Sequence, residues 1–156
     1  PSCYSCNSKF KHKHRLVKSK KDAKLSPTCS KFDFSSRNKF VLGFSSPSVN
    51  YSLIKNIKDF TVKLDIPNKT KGYGRYETLF KLNARYKEHK DDVLELIRKK
   101  ERYPTTHIKK IANLTATPFN DVKKSIFGDE LDLKDSELNR KPKAKLKVDI
   151  ARQLKI

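Results

Sequence analysis

Hydrophobic and polar positions along this chain fall into two regimes. Between residues 32 and 66 the apolar positions are aromatic and β-branched: Phe32, Phe34, the run Phe40-Val41-Leu42-Gly43-Phe44, and then Phe60-Thr61-Val62-Lys63-Leu64-Asp65-Ile66. Alternation at period two marks a half-buried strand, so both segments are predicted as short strands. The second puts Phe60, Val62, Leu64 and Ile66 on one face and ends at Pro67-Asn68. Aromatics on a basic sheet could stack bases, but at strand spacing they are assigned to the core.

From residue 77 the period changes to three and four. Leu79, Leu82, Tyr86, His89, Val93, Leu96 and Ile97 predict a helix over 77–100 that carries much of the core. Pro104-Thr105 opens a second helix running to Leu114, with Thr105 or Thr106 as its N-cap. Thr115-Ala116-Thr117-Pro118 interrupts it, and a third helix over 119–127 stops at Gly128. The apolar positions Ile108, Ile111, Ala112, Leu114, Val122, Ile126 and Phe127 have the dimensions of a helix-turn-helix. That arrangement would turn Asn120, Lys123, Lys124 and Ser125 toward a major groove. A helical hairpin that never touches DNA has the same pattern, and a turn without Gly favours it. A polar stretch with acids over 129–139 leads to a last helix over 141–154, whose stripe of Leu146, Ile150 and Leu154 is expected to dock on the helical part.

Charge changes the picture more than composition does. Lys and Arg number 37 against 17 Asp and Glu in 156 residues, a formal net charge of +20. That excess exceeds what solubility requires and points to a polyanionic partner, nucleic acid first. An AT-biased genome explains part of the lysine count but not the scarcity of acids. A membrane surface would need a basic amphipathic helix or a lipidation signal, and neither is found. No apolar run approaches transmembrane length and no signal-peptide pattern opens the sequence. Three cysteines, two of them close-set, suit a reducing compartment and a metal site better than a disulfide framework, so a cytoplasmic location is expected.

Candidate chemistry concentrates at the start, in Cys3-Tyr4-Ser5-Cys6-Asn7-Ser8-Lys9. Two thiolates three residues apart can reach one tetrahedral ion, and a closed zinc site needs two more ligands from elsewhere in this chain, from another chain or from sequence beyond it. The sequence starts at Pro1, which fits both removal of an initiator Met and a truncated start. Residues 9–24 are too poor in apolar positions to define a buried face, and Lys9, Lys11, Lys13, Arg15 and Lys18 are candidate phosphate contacts. His12 and His14 alternate with these cations, which oppose a divalent ion, and are read as solvated. Cys29 stands alone beside Pro27-Thr28 and is read as a small half-buried residue. Residues 71–75 form a turn without the Lys-Ser/Thr of a phosphate-binding loop. His89-Lys90-Asp91-Asp92 holds the raw materials of acid-base chemistry, but consecutive helix positions point apart and are read as a solvated face.

The opening Pro-Ser-Cys-x-x-Cys-Asn-Ser-Lys-Phe-Lys resembles the second half of the HNH endonuclease motif, the ββα-metal finger. The text from Asn83-Ala84-Arg85-Tyr86 through Ile126-Phe127-Gly128 to the terminal Lys-x-Lys-Leu-Lys-x-Asp-Ile-Ala-x-Gln-Leu is similar to the C-terminal region of HNH proteins of bacterial anti-phage modules. The resemblance implies that Cys3 and Cys6 form half of a structural Zn²⁺ clamp, that Asn7 ligates a Mg²⁺-class catalytic ion, and that Lys9 and Lys11 touch phosphate. It implies metal-assisted hydrolysis of DNA phosphodiesters, with an upstream Asp-His as base and metal ligand, and an ATPase or other defence-module protein as partner. That Asp-His and a first Cys pair would precede Pro1, so little cleavage is expected from this chain alone. His12 and His14 follow Asn7 and cannot replace them.

The expected class is therefore α+β. Residues 1–31 form a remnant of a ββα-metal finger with a basic tail, and residues 32–156 an accessory domain of a few short strands and a mainly helical C-terminal half. The competing expectation is a non-enzymatic basic nucleic-acid-binding protein, ribosomal or helix-turn-helix in type. A small nuclease or toxin using only the histidines present is a distant third.

Overall fold

A computed structural model describes residues 19–26, 29–44, 51–67, 72–138 and 143–156. After a 3₁₀ turn at Lys20–Leu25 come α1 (Phe34–Arg37), β1 (Lys39–Phe44) and β2 (Phe60–Asp65). Six further helices follow: α2 (Gly74–Phe80), α3 (Leu82–Lys87), α4 (Lys90–Arg102), α5 (Thr105–Thr115), α6 (Phe119–Phe127) and α7 (Ala144–Leu154). The α+β class holds, with a sheet reduced to two antiparallel strands that pair Phe40 with Leu64 and Leu42 with Val62.

Phe60, Val62 and Leu64 are buried and alternate with exposed Thr61, Lys63 and Asp65, as period two requires. Phe40 and Leu42 of β1 face the same core, together with Val93, Leu96 and Ile97 of α4 and Leu146, Ile150 and Leu154 of α7. Phe34, expected on a strand, lies in the one-turn helix α1. Asp33 there accepts from the Ser36 backbone N–H at 3.2 Å and serves as its N-cap.

Two strands alone are marginal because every outer backbone group is an unpaired edge. Here both edges are closed by side chains from helices. On β1, the Phe40 N–H donates to Asp149 Oδ2 at 2.8 Å and the Leu42 N–H to Gln153 Oε1 at 2.8 Å, while Gln153 Nε2 donates back to the Leu42 carbonyl at 3.3 Å. On β2, the Leu64 N–H donates to Asn83 Oδ1 at 2.6 Å. Helix α7 thus substitutes for a third strand.

This arrangement corrects two expectations. The single helix over 77–100 is three helices, separated by Lys81 in the left-handed region (φ +49°) and by Glu88-His89. The break at Lys81 coincides with the Asn83 that reaches β2, and Glu77 Oε2 accepts from the Asn83 N–H at 2.9 Å. Helix α7 is buried well beyond its leucine stripe, with Lys145, Val148 and Asp149 also inside. It packs on β1 as well as on α4, not on the helical part alone.

A second small cluster joins the chain's early residues to α2. Leu25 packs with Tyr73 and Tyr76, and Phe32 and Phe34 lie beside them with ring centroids 5.5–5.9 Å from the two tyrosines. The Tyr76 hydroxyl donates to the Leu25 carbonyl, and burial, with Tyr73 nearby, pushes the Tyr76 pKa up to about 12. Arg75 closes the contact on Asp22 at 2.8 Å.

Candidate nucleic-acid interface

The residues assigned to metal and phosphate from sequence, Cys3, Cys6, Asn7, Lys9, Lys11, Lys13, Arg15 and Lys18, lie outside the described residues, as do His12 and His14. Among the described residues no group of three or more His, Cys, Asp or Glu side chains is placed to hold a metal ion. Cys29 is a half-buried free thiol. His89 sits at the start of α4 with Nδ1 3.6 Å from Asp92 Oδ2, and Asp92 is held by Lys143 Nζ at 2.8 Å. Asp92 is therefore a tie between α4 and α7, while Asp91 is exposed.

Helices α5 and α6 form the helical hairpin that the sequence indicates, packed through Ile108, Ala112, Val122 and Phe127. Leu114, grouped with that apolar face from its spacing, is 77% exposed. Neither threonine caps α5: Pro104 occupies the N-cap position and offers no side-chain acceptor. The turn is made without Gly because Ala116 itself adopts the left-handed conformation (φ +50°). The Thr117 N–H then reaches the Ala112 carbonyl at 3.0 Å, closing the helix end.

Of the four side chains expected to face a groove, two are engaged. Lys124 Nζ binds Asp132 Oδ2 at 2.9 Å, and that hydrogen bond and charge raise its pKa. Ser125 Oγ donates to the Val122 carbonyl at 2.9 Å. Asn120 is exposed and Lys123 half-buried. Lys109 and Lys110 on α5 are exposed.

Several acids elsewhere are paired inside the fold. Asp135 pairs with Lys39 at 3.2 Å and Arg152 at 2.7 Å, Glu130 with Lys147 at 3.2 Å, and Asp149 with Lys145 at 2.5 Å. Residues 1–18 contain five cations and no acid. Among the described residues, Lys109, Lys110 and Lys123 form no ion pair.

Sequence reasoning missed one feature, a cavity of about 220 Å³ where the end of α4, the start of α5, α6 and the end of α7 meet. Tyr103, Ile108, Phe119 and Phe127 supply apolar walls, and Lys100, Lys123 and Lys155 reach it from three elements. No local pattern signals it, because its residues lie up to about a third of the chain apart. No helix among the described residues is long and apolar enough to cross a membrane. No protein-family model, curated protein or solved structure matches the chain.

Proposed function

We propose that this chain binds DNA through its surplus of lysines and contributes one half of an HNH-type metal centre, the half built from Cys3, Cys6 and Asn7. The observation that supports binding is the excess of 37 Lys and Arg over 17 Asp and Glu, with acids such as Asp135 and Asp149 already paired to Arg152 and Lys145 while Lys109 and Lys110 lie exposed on one helix. Unneutralised lysines release counterions when they meet phosphate, which gives affinity without regard to sequence. The cations at Lys9, Lys11, Lys13, Arg15 and Lys18 would extend that surface.

In this reading Cys3 and Cys6 hold half of a structural Zn²⁺ site, and Asn7 is one ligand of a Mg²⁺-class ion. Such an ion would stabilise charge developing on the phosphate oxygens. The accessory domain positions DNA or a defence-module partner such as an ATPase, in the cytoplasm of a bacterial cell. In the family the general base comes from an Asp-His upstream of the cysteines, a stretch not included in the polypeptide of residues 1–156. That polypeptide should bind duplex DNA at low salt and leave supercoiled plasmid largely uncut in Mg²⁺. Strong Mg²⁺-dependent nicking that persists in Asn7→Ala would overturn the assignment.

The second reading, a purely binding protein, is supported by the exposed Lys109 and Lys110 on α5 and needs no metal. It is separated from the first by zinc. A binding protein folds without Zn²⁺ and retains DNA affinity in Cys3→Ser/Cys6→Ser.

A further inference from the structure

The cavity between α4, α5, α6 and the end of α7 combines two features that a purely structural gap does not need. Its lining combines the aromatic residues Tyr103, Phe119 and Phe127 with the cations Lys100, Lys123 and Lys155. Lys100 is committed to the fold: its ammonium donates to the Leu154 and Lys155 carbonyls and so closes the negative end of α7. Lys123 and Lys155 have no ion-pair partner among the described residues, although both stand beside an apolar surface. Burial, and then repulsion from Lys155, pull the Lys100 pKa down.

Lys155 is fixed in place by backbone geometry. It is the left-handed residue (φ +56°) that ends α7, and the Ile156 N–H closes the turn on the Ala151 carbonyl at 3.0 Å. Lys123 projects from the middle of α6, one turn after Phe119, so an aromatic ring and an ammonium lie on the same side of one helix. Tyr103 is held in turn by the His107 ring stacked at 5.7 Å.

From this geometry we infer that the cavity receives one unstacked nucleotide, its base against the Tyr103 and Phe119 rings and its phosphate between Lys123 and Lys155. Rings stack on any base, and an ammonium pair recognises any phosphate, so the site selects the chemical class of a nucleoside phosphate and not a base sequence. The volume suits one base with its sugar at the mouth and excludes a stacked pair. The ligand's source is either a free nucleotide or an unpaired nucleotide within a strand. This goes beyond the DNA-binding reading and is independent of the Cys3, Cys6 and Asn7 centre.

The test is a titration of the full chain at physiological salt with three probes: adenosine 5′-monophosphate, an eight-nucleotide oligothymidylate, and inorganic pyrophosphate. Binding of the monophosphate, the octamer or both is expected, the first indicating a free nucleotide and the second a strand. Lys123→Glu/Lys155→Glu should weaken that binding about tenfold or more, while the equally charged control Lys63→Glu/Lys87→Glu, far along the chain on exposed positions, changes it about threefold or less. Phe119→Leu keeps an apolar side chain, and its melting curve verifies the fold; it should weaken nucleotide binding severalfold and leave pyrophosphate unchanged. Absence of binding by both nucleotide probes overturns the inference. So does an equal loss in the two charge-reversed variants, which would reduce the effect to overall charge. Failure of DNA cleavage or of zinc binding at the N-terminal cysteines leaves these readouts untouched.

Discussion

Replacing Asp149 with Ala should be among the costlier single changes on α7, because one carboxylate serves two buried partners. Its side chain is 1% exposed; Oδ2 accepts from the Phe40 N–H at 2.8 Å and from Lys145 Nζ at 2.5 Å, and Oδ1 lies 3.8 Å from Lys39 Nζ. Removing it leaves a buried ammonium unpaired, a change worth about 3–5 kcal/mol in comparable sites. It also orphans a strand N–H, worth about 1–3 kcal/mol. The two losses share a side chain and do not add fully, so about 4 kcal/mol is expected from Asp149→Ala. Asp149→Asn keeps an acceptor for Phe40 and loses only the charge, for about 2 kcal/mol. Urea unfolding followed by far-UV circular dichroism measures both. Equal losses in the two variants would refute the strand-edge role, and a loss below about 1 kcal/mol in Asp149→Ala would refute the buried pair. A pH signature accompanies this. Burial lowers the Lys145 pKa despite the opposing Asp149 hydrogen bond, so the unfolded chain binds this proton more tightly than the folded one. Stability attributable to Lys145 therefore rises as pH climbs from the folded pKa toward the unfolded value. Asp149→Ala removes the contact that raises that pKa, so the rise should start at lower pH and be larger.

Other outcomes follow from the turns and the acids. Gly128 ends α6 at φ +100°, and a Cβ there would collide with the Glu130 carboxylate, so Gly128→Ala should lower stability by about 1–3 kcal/mol in the same urea assay. Ala116 strains in the left-handed region where Gly does not, and Ala116→Gly should raise stability by about 0.5–1 kcal/mol. Burial pushes the Asp135 carboxyl up, but hydrogen bonds from Arg152 and Lys39 outweigh it and hold its pKa below the ordinary value. Its contribution is complete above the unfolded carboxylate pKa and is lost as pH falls through the folded one. Acid titration of Asp135→Asn should show a shallower loss of stability below about pH 4 than the native chain.

The strands and the C-terminal helices were legible because each carries its own period. Phe60, Val62 and Leu64 alternate, and Val93, Leu96 and Ile97 recur at helical spacing, so local pattern and tertiary burial agree. The breaks within residues 77–100 were not legible, since nothing at Lys81 opposes a helix; the bend accompanies Asn83 reaching the distant β2. Nor does any spacing reveal that Asp149 and Gln153 would pair with strand backbone more than a hundred residues earlier. Leu114 misled in the opposite direction, an apolar residue at the right spacing that the end of α5 leaves in solvent. The lining of the cavity depends on the last helix returning to α4 and α6, a long-range event with no local signal. The pairing of Cys3 with Cys6 is legible in their spacing, whereas Asn7 as a ligand comes from the resemblance to the HNH motif.

The central claim is that the unpaired lysines bind a nucleic-acid backbone. Its most direct test is the affinity of the chain for duplex DNA across a salt series. The account predicts a steep linear fall of log K with log salt, losing about 10³-fold or more between 50 and 200 mM as several phosphates shed counterions. An affinity that is flat across the series, or no binding at the lowest salt, would contradict it.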